Sequence, residues 1–232
     1  KALEYLLIAE SLSIKLKEDD LKYEIQYQKG LSYIYSHKYG EAISVLTKLI
    51  QNISGEEDKF LGDACYRLAK AYQLIGNNEL AYEYQFKALQ IREKLKDQEG
   101  IAYSLYHIGG IHFYQLSYHK AIEYYKQCLS VCENINHQVL KISCFGAIGG
   151  AYSRINLREL SLEYNLRAYD LSISLDGQPQ LSYITFNLGD NYQNSGNFTK
   201  ALDYFIQAHD RNIENNDQWG EISSTKKIGD IY

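Results

Sequence analysis

Apolar residues along this chain return at helical spacing in short blocks, and polar or glycine-bearing breaks separate the blocks. Leu105, Ile108, Gly109 and His112 stand at i, i+3, i+4 and i+7, one face of a helix. A second stripe follows at Ala121, Tyr124, Tyr125, Cys128 and Leu129, after a break at Leu116-Ser117-Tyr118. Elsewhere the same break reads Ile75-Gly76-Asn77-Asn78 or Ser195-Gly196-Asn197-Phe198, with glycine where a helix stops in the left-handed conformation. Polar runs at Lys96-Asp97-Gln98-Glu99-Gly100, Asn134-Ile135-Asn136-His137, Asp176-Gly177-Gln178-Pro179 and Asn215-Asn216-Asp217 separate one pair of stripes from the next. The pattern predicts helix, short turn, helix, longer turn, and it contains no alternating strand segment.

The pair of stripes repeats. A small residue recurs at Gly30, Ala69, Gly109, Gly149, Gly189 and Gly229, every 39 or 40 residues, and Ala2, Ala42, Ala81, Ala121, Ser161 and Ala201 keep the same beat. Such a period marks one supersecondary unit stacked on copies of itself. The predicted organisation is a single array over 1–232: a partial unit at 1–19, units at about 20–56, 57–97, 98–137, 138–177 and 178–217, and a partial unit at 218–232. Glycine inside a helix costs up to about 1 kcal/mol relative to alanine. Its return at one phase implies a repeated steric demand, expected to be the close approach of two helix backbones.

Leu188-Gly189-x-x-Tyr192, Gly196-x-Phe198-x-x-Ala201 and Tyr204-Phe205-x-x-Ala208 resemble a tetratricopeptide repeat. Leu68-Ala69-x-x-Tyr72, Gly76, Ala81, Tyr84 and Ala88-Leu89 repeat the motif, as do Ile108-Gly109, Tyr118, Ala121, Tyr124-Tyr125 and Leu129. The period of 40 exceeds the usual length of about 34, and the proline that closes most such repeats is missing, Pro179 being the only one present. Units of this long type resemble those of kinesin light chains, spindle-orientation adaptors, bacterial sensor proteins and peptide-pheromone receptors. The resemblance implies an all-α fold, a right-handed α-solenoid of antiparallel helix pairs whose first helices line a concave wall.

On that implied wall, residues three before, one after and four or five after the small residue share a stripe. The stripe gives a candidate partner-binding surface of Tyr27, Leu31, Tyr35, Tyr66, Lys70, Tyr106, Phe113, Tyr114, Arg154, Asp190 and Asn194. Aromatics dominate its N-terminal half and polar residues its C-terminal half; aromatic anchors suit protein or peptide recognition. The chain also uses tyrosine heavily, 23 in all, so packing between helices is the competing role. Asn187 resembles an asparagine that several families of this fold turn toward a bound peptide backbone, where an amide can donate and accept at once. A solvated polar residue is the alternative for it. Repeat domains that clamp acidic C-termini carry lysine three before the small residue and asparagine one after; Lys226 with Asp230 is the nearest approach here, with the wrong second residue.

Catalytic signatures are missing: there is no phosphate loop, nucleophile elbow, zinc-protease motif or dinucleotide fingerprint. Cys128 and Cys132 stand at i, i+4, a spacing that could chelate a soft metal. Cys128, however, aligns with Ala88, Ala168 and Ala208, so it reads as a small core residue, and neither a metal nor a cofactor is expected. Trp219, the sole tryptophan, is expected to cover a seam between units. The net charge of −5 argues against nucleic acid or an acidic membrane surface, and no run approaches the roughly 18 apolar residues of a membrane span. Four cysteines without disulfide-framework spacing suit the cytoplasm.

The chain starts at Lys1 and holds no methionine, so it is expected to be part of a longer polypeptide. The expected function is a non-catalytic protein- or peptide-binding module, the sensory or regulatory segment of a larger bacterial signalling protein. Its partners would be a protein or peptide segment in the groove and flanking domains of the same polypeptide, with self-association left open. Any catalytic output domain would lie outside these residues. A peptide-pheromone receptor and a passive assembly scaffold are the alternatives.

Overall fold

The structure is a computed structural model that describes residues 19–53, 59–175 and 180–232. The expected partial unit at 1–19, with Ala2, lies outside them but for its last residue, as does the Asp176–Pro179 turn. Among the described residues there are eleven α-helices and no strand: α1 Asp19–Tyr35, α2 Tyr39–Asn52, α3 Lys59–Leu74, α4 Asn78–Lys94, α5 Gln98–Tyr114, α6 Tyr118–Asn134, α7 Gln138–Arg154, α8 Arg158–Ser174, α9 Leu181–Asn194, α10 Phe198–Glu214 and α11 Gln218–Gly229. The chain divides into two compact units, Lys1–Ile111 and His112–Tyr232.

The period of 40 has a simple local origin. The central helices are 17 residues long, and three-residue turns join them. In each turn the middle residue sits in the left-handed region: His37, Gly76, Lys96, Leu116, Asn136, Asn156, Gly196 and Asn216. Two backbone bonds close each one, as in Gly196 N to Gln193 O (3.0 Å) and Asn197 N to Tyr192 O (2.9 Å), the Schellman arrangement. In five of these turns the side chain of the third residue then caps the next helix, while Lys38, Ser117 and Leu157 make no such bond. Asn77, Asp97, His137, Asn197 and Asp217 accept from the backbone N–H three residues on, at 3.0–3.2 Å.

The expectation of alternating short and longer turns is corrected by this geometry. Turns 95–97, 135–137 and 215–217, between pairs, are as short as those within pairs. Gln98, Glu99 and Gly100 belong to α5: the polar first turn of a helix resembles a loop in sequence, because N-terminal N–H groups favour polar and acidic neighbours.

In the unit Lys1–Ile111, α1 packs on α2, α2 on α3, α3 on α4, and α1 also on α3. In His112–Tyr232, each of α6 to α11 packs on the next, and α7 meets α9 and α9 meets α11. First helices of neighbouring pairs therefore touch one another as well as their own partners. Leu46, Leu49, Leu68 and Ala71 anchor the first core; Ile142, Ile184, Leu188 and Phe205 are fully or almost fully buried in the second.

The repeated small residues make room for a side chain rather than for a backbone. A methyl built on Gly30 would lie 2.6 Å from Leu46 Cδ2, one on Gly149 2.6 Å from Asn165 Oδ1, and one on Gly189 2.6 Å from the Phe205 ring. In each case the intruder is 16 residues further on, in the second helix of the pair. At Gly229 a methyl would meet nothing within 4 Å. A second device ties four of the pairs near their turns: rings twelve residues apart stack or tilt together, Tyr72–Tyr84, His112–Tyr124, Tyr152–Tyr164 and Tyr192–Tyr204, at 5.3–5.8 Å. Many of the tyrosines are thus packing residues.

Candidate functional site

Within His112–Tyr232, the last residues of α5 and the first helices α7, α9 and α11 enclose a cavity of about 760 Å³. Phe113 and Tyr114 come from α5, Gly150, Ser153 and Arg154 from α7, and Ser182, Tyr183, Phe186, Asn187 and Asp190 from α9. Asn212 of α10, the cap Asp217, and Gly220 and Ser223 of α11 complete it. Of the sequence candidates, Phe113, Tyr114, Arg154, Asn187 and Asp190 meet here. Asn194 does not: it ends α9, exposed, its carbonyl accepting from Arg158 Nη1 at 3.0 Å.

Aromatic and polar groups alternate around the cavity. Tyr114 is 69% exposed and Tyr183 50%, both ready to cover an apolar group. Gly150 leaves the space that Tyr183 fills, since a methyl there would stand 2.9 Å from the tyrosine hydroxyl oxygen. Asp190 pairs with Lys227 at 2.6 Å, and the same ammonium donates to Gln193 Oε1 at 3.1 Å. Asn187 Nδ2 is buried and lacks a hydrogen-bond partner, a donor that costs free energy until something accepts from it. Arg154 is exposed and supplies a cation.

Tyr183, Ser182, Asn212, Gly220 and Ser223 were not among the sequence candidates. Tyr183 lies one helical turn before Phe186, so extending the stripe by one step finds it. The others depend on where α10 and α11 fall against α9, which no single-helix pattern encodes. Trp219 corrects another expectation. It is 82% exposed and covers no seam; Gly220 beside it packs on Asn212 instead.

The remaining candidates lie in Lys1–Ile111. Tyr27, Leu31, Tyr66, Lys70 and Tyr106 are half-buried on α1, α3 and α5, and Tyr35 is 74% exposed at the end of α1. A chain of contacts runs through them. Arg67 Nε donates to Tyr27 Oη at 3.2 Å, Tyr66 Oη meets His107 Nε2 at 2.8 Å, and the Tyr106 ring stands edge-on to His107 at 5.5 Å. Desolvation, helped by the charges of Lys70, Arg92 and Arg67, lowers the His107 pKa to about 4, so the imidazole is neutral. Burial also raises the Tyr66 pKa. Buried Arg92 holds this region together, donating to Asp63 (2.8 Å), Ser104 Oγ (2.8 Å) and Gly100 O (3.1 Å), with its guanidinium 4.8 Å from the Tyr66 ring centre.

A third cluster joins the Cys128 and Cys132 pair of α6 to Cys144 of α7, all fully buried. Cys128 and Cys132 sulfurs are 3.8 Å apart, and Cys144 donates to Cys128 at 3.2 Å. Hydrogen bonds from Cys128 and Cys144 lower the Cys132 thiol pKa. Cys144 was absent from the sequence candidates because it lies on the following helix.

Repeated helix pairs, left-handed three-residue turns and contacts between successive first helices define an α-solenoid of the tetratricopeptide type. Tetratricopeptide repeat models match residues 61–134 and 184–212. The chain carries tetratricopeptide-type repeats at these positions. No curated protein matches it significantly.

Solved structures share the fold. RapI in its apo form is 18% identical with a TM-score of 0.77, covering 84% of this chain and 72% of that one. The Rap conjugation gene regulator of plasmid pLS20, in complex with the Phr peptide, is 17% identical with a TM-score of 0.74, covering 91% and 59%. Kinesin light chain-like repeats from Podosopora anserina are 14% identical with a TM-score of 0.68, covering 82% and 94%. No described helix is long and apolar enough to cross a membrane.

Proposed function

We propose that this chain is a protein- or peptide-binding module that holds an extended segment in the cavity of His112–Tyr232. The cavity carries the reading: about 760 Å³, with aromatic faces and convergent polar groups, suits a few side chains of a peptide. Phe113, Tyr114 and Tyr183 cover an apolar side chain, Arg154 takes an acidic group, and the Asn187 amide pairs with main chain. The pLS20 regulator, whose structure holds a peptide, shares the fold and supports a peptide over a rigid partner. Tyr27, Leu31, Tyr35, Tyr66, Lys70 and Tyr106 form a second candidate surface in the other unit. Residues 1–232 then act as one repeat array, a cytoplasmic sensory or regulatory segment of a larger signalling polypeptide.

Peptides selected from a random display library on the wild-type chain, and measured by fluorescence anisotropy, test this. Tyr114→Ala, Tyr183→Ala and Arg154→Ala all change exposed residues and leave the fold intact. Loss of roughly tenfold or more in at least two of them fits an anchor role. Wild-type affinity in all three refutes the assignment of the cavity.

A further inference from the structure

The three-thiol cluster lies away from the cavity and recurs in register as a seam between the second helix of one pair and the first helix of the next. Its sister positions, 40 residues apart, are Ala88, Arg92 and Ser104; Ala168, Ser172 and Ile184; Ala208, Asn212 and Ser224. Alanine or serine therefore fills each cysteine position somewhere in the same chain, and shape alone does not demand sulfur. The first seam shows that this place can carry polar chemistry, since there Arg92 bonds Ser104 across it. Only at α6 and α7 do three cysteines coincide.

We propose that Cys128, Cys132 and Cys144 form a three-coordinate thiolate site for a soft monovalent ion, Cu(I). An ion about 2.3 Å from each of three sulfurs spaces those sulfurs about 4 Å apart. The observed separations of 3.2 and 3.8 Å, with all three sulfurs inside 4.8 Å of one another, need only sub-ångström adjustment. Soft thiolates select copper(I) and zinc among common ions. Structural zinc almost always takes four ligands, and among the described residues the group ends at three. His137, the nearest imidazole in sequence, accepts the cap bond from Leu140 N at 3.2 Å. Copper(I) is satisfied by three thiolates, and burial keeps water and dioxygen from it. Each coordinating thiol releases its proton to solvent as the ion enters. No electron is transferred, so no oxidant or reductant is needed. Lys141, whose charge acts on Cys132, offsets part of the negative charge.

The experiment is an anaerobic titration of the reduced chain with Cu(I) in competition with bathocuproine disulfonate, followed by X-ray absorption of the loaded protein. One ion per chain and a shell of three sulfurs are expected. Cys128→Ala, Cys132→Ser and Cys144→Ser use residues the sister seams already hold, and melting followed by circular dichroism confirms that each folds. Each should weaken binding by about 100-fold or more, the upper end of what losing even an outer-shell partner costs. Cys65→Ser, in the other unit, should leave binding unchanged. Absence of uptake by folded wild type overturns the proposal, as does retained affinity in the triad variants. A shell containing nitrogen or oxygen, or zinc bound as tightly as copper, does the same by revealing a fourth ligand. None of these outcomes bears on the peptide reading.

Discussion

Replacing Gly189 by alanine tests the packing rule from which the repeat derives. Alanine alone favours the helix by about 1 kcal/mol over glycine. Its methyl, however, would lie 2.6 Å from Phe205 Cδ1 and Cε1, where ordinary contact begins near 3.4 Å. Phe205 is fully buried and set against Phe186 at 5.4 Å, so it has little room to retreat. Overpacking of this kind costs about 1–3 kcal/mol, which leaves a net loss of up to about 2 kcal/mol once the helical gain is included. Gly40→Ala, on α2 where a methyl meets nothing within 4 Å, is the control and should be neutral or stabilising by up to about 1 kcal/mol. Urea unfolding followed by circular dichroism compares the two. The cycle with Phe205→Ala adds a sharper criterion: the double variant should be more stable than the two single losses combined, by about 1–3 kcal/mol, because the methyl enters vacated space. A Gly189→Ala protein as stable as Gly40→Ala, or strict additivity in the cycle, refutes the reasoning.

Two further outcomes follow from the electrostatics and the turns. His107 binds a proton less readily folded, near pH 4, than unfolded, near pH 6.5; its contribution is therefore complete above pH 6.5 and is lost as pH falls toward 4. Between pH 7 and pH 5 this removes roughly 2 kcal/mol of stability, and an NMR titration placing the imidazole near 6.5 contradicts it. Leu116 is 71% exposed and occupies the left-handed region at φ 60°, which costs a non-glycine residue about 1–2 kcal/mol. Leu116→Gly should raise the melting temperature, with a net gain up to about 1 kcal/mol after the entropy of the more flexible unfolded chain. Leu157→Gly, at φ −89°, should lower it; equal effects at the two sites dismiss the strain.

What could be read from the chain alone follows from what each residue depends on. The phase of Gly30, Gly149 and Gly189 was legible because a bulky residue 16 positions later enforces it in each of those three pairs. The stripe through Phe113, Arg154 and Asp190 was legible because helical geometry alone places those residues on one side of their helices, whereas Asn187 was legible only through its resemblance to an asparagine of this fold. Tyr183 and Asn212 reach the cavity through the tilt of neighbouring helices, and tilt leaves no mark in a single stripe. Cys144 joins Cys128 only because α7 lies back along α6. Trp219 misled because size suggested burial, whereas its neighbour Gly220 is the residue that Asn212 needs close.

Each left-handed turn ends one helix and, through its last residue, begins the next, so the joints are nearly interchangeable along the polypeptide. A deletion or duplication of forty codons starting anywhere in the repeat restores an intact joint and the same packing phase. Such a gene can change its number of copies by unequal crossing-over without first inventing new start and stop signals. What then limits recombination is the chemistry of the seams: a cut that sets Arg92 against a partner other than Ser104, or divides the three thiols, leaves a buried group with nothing to answer it.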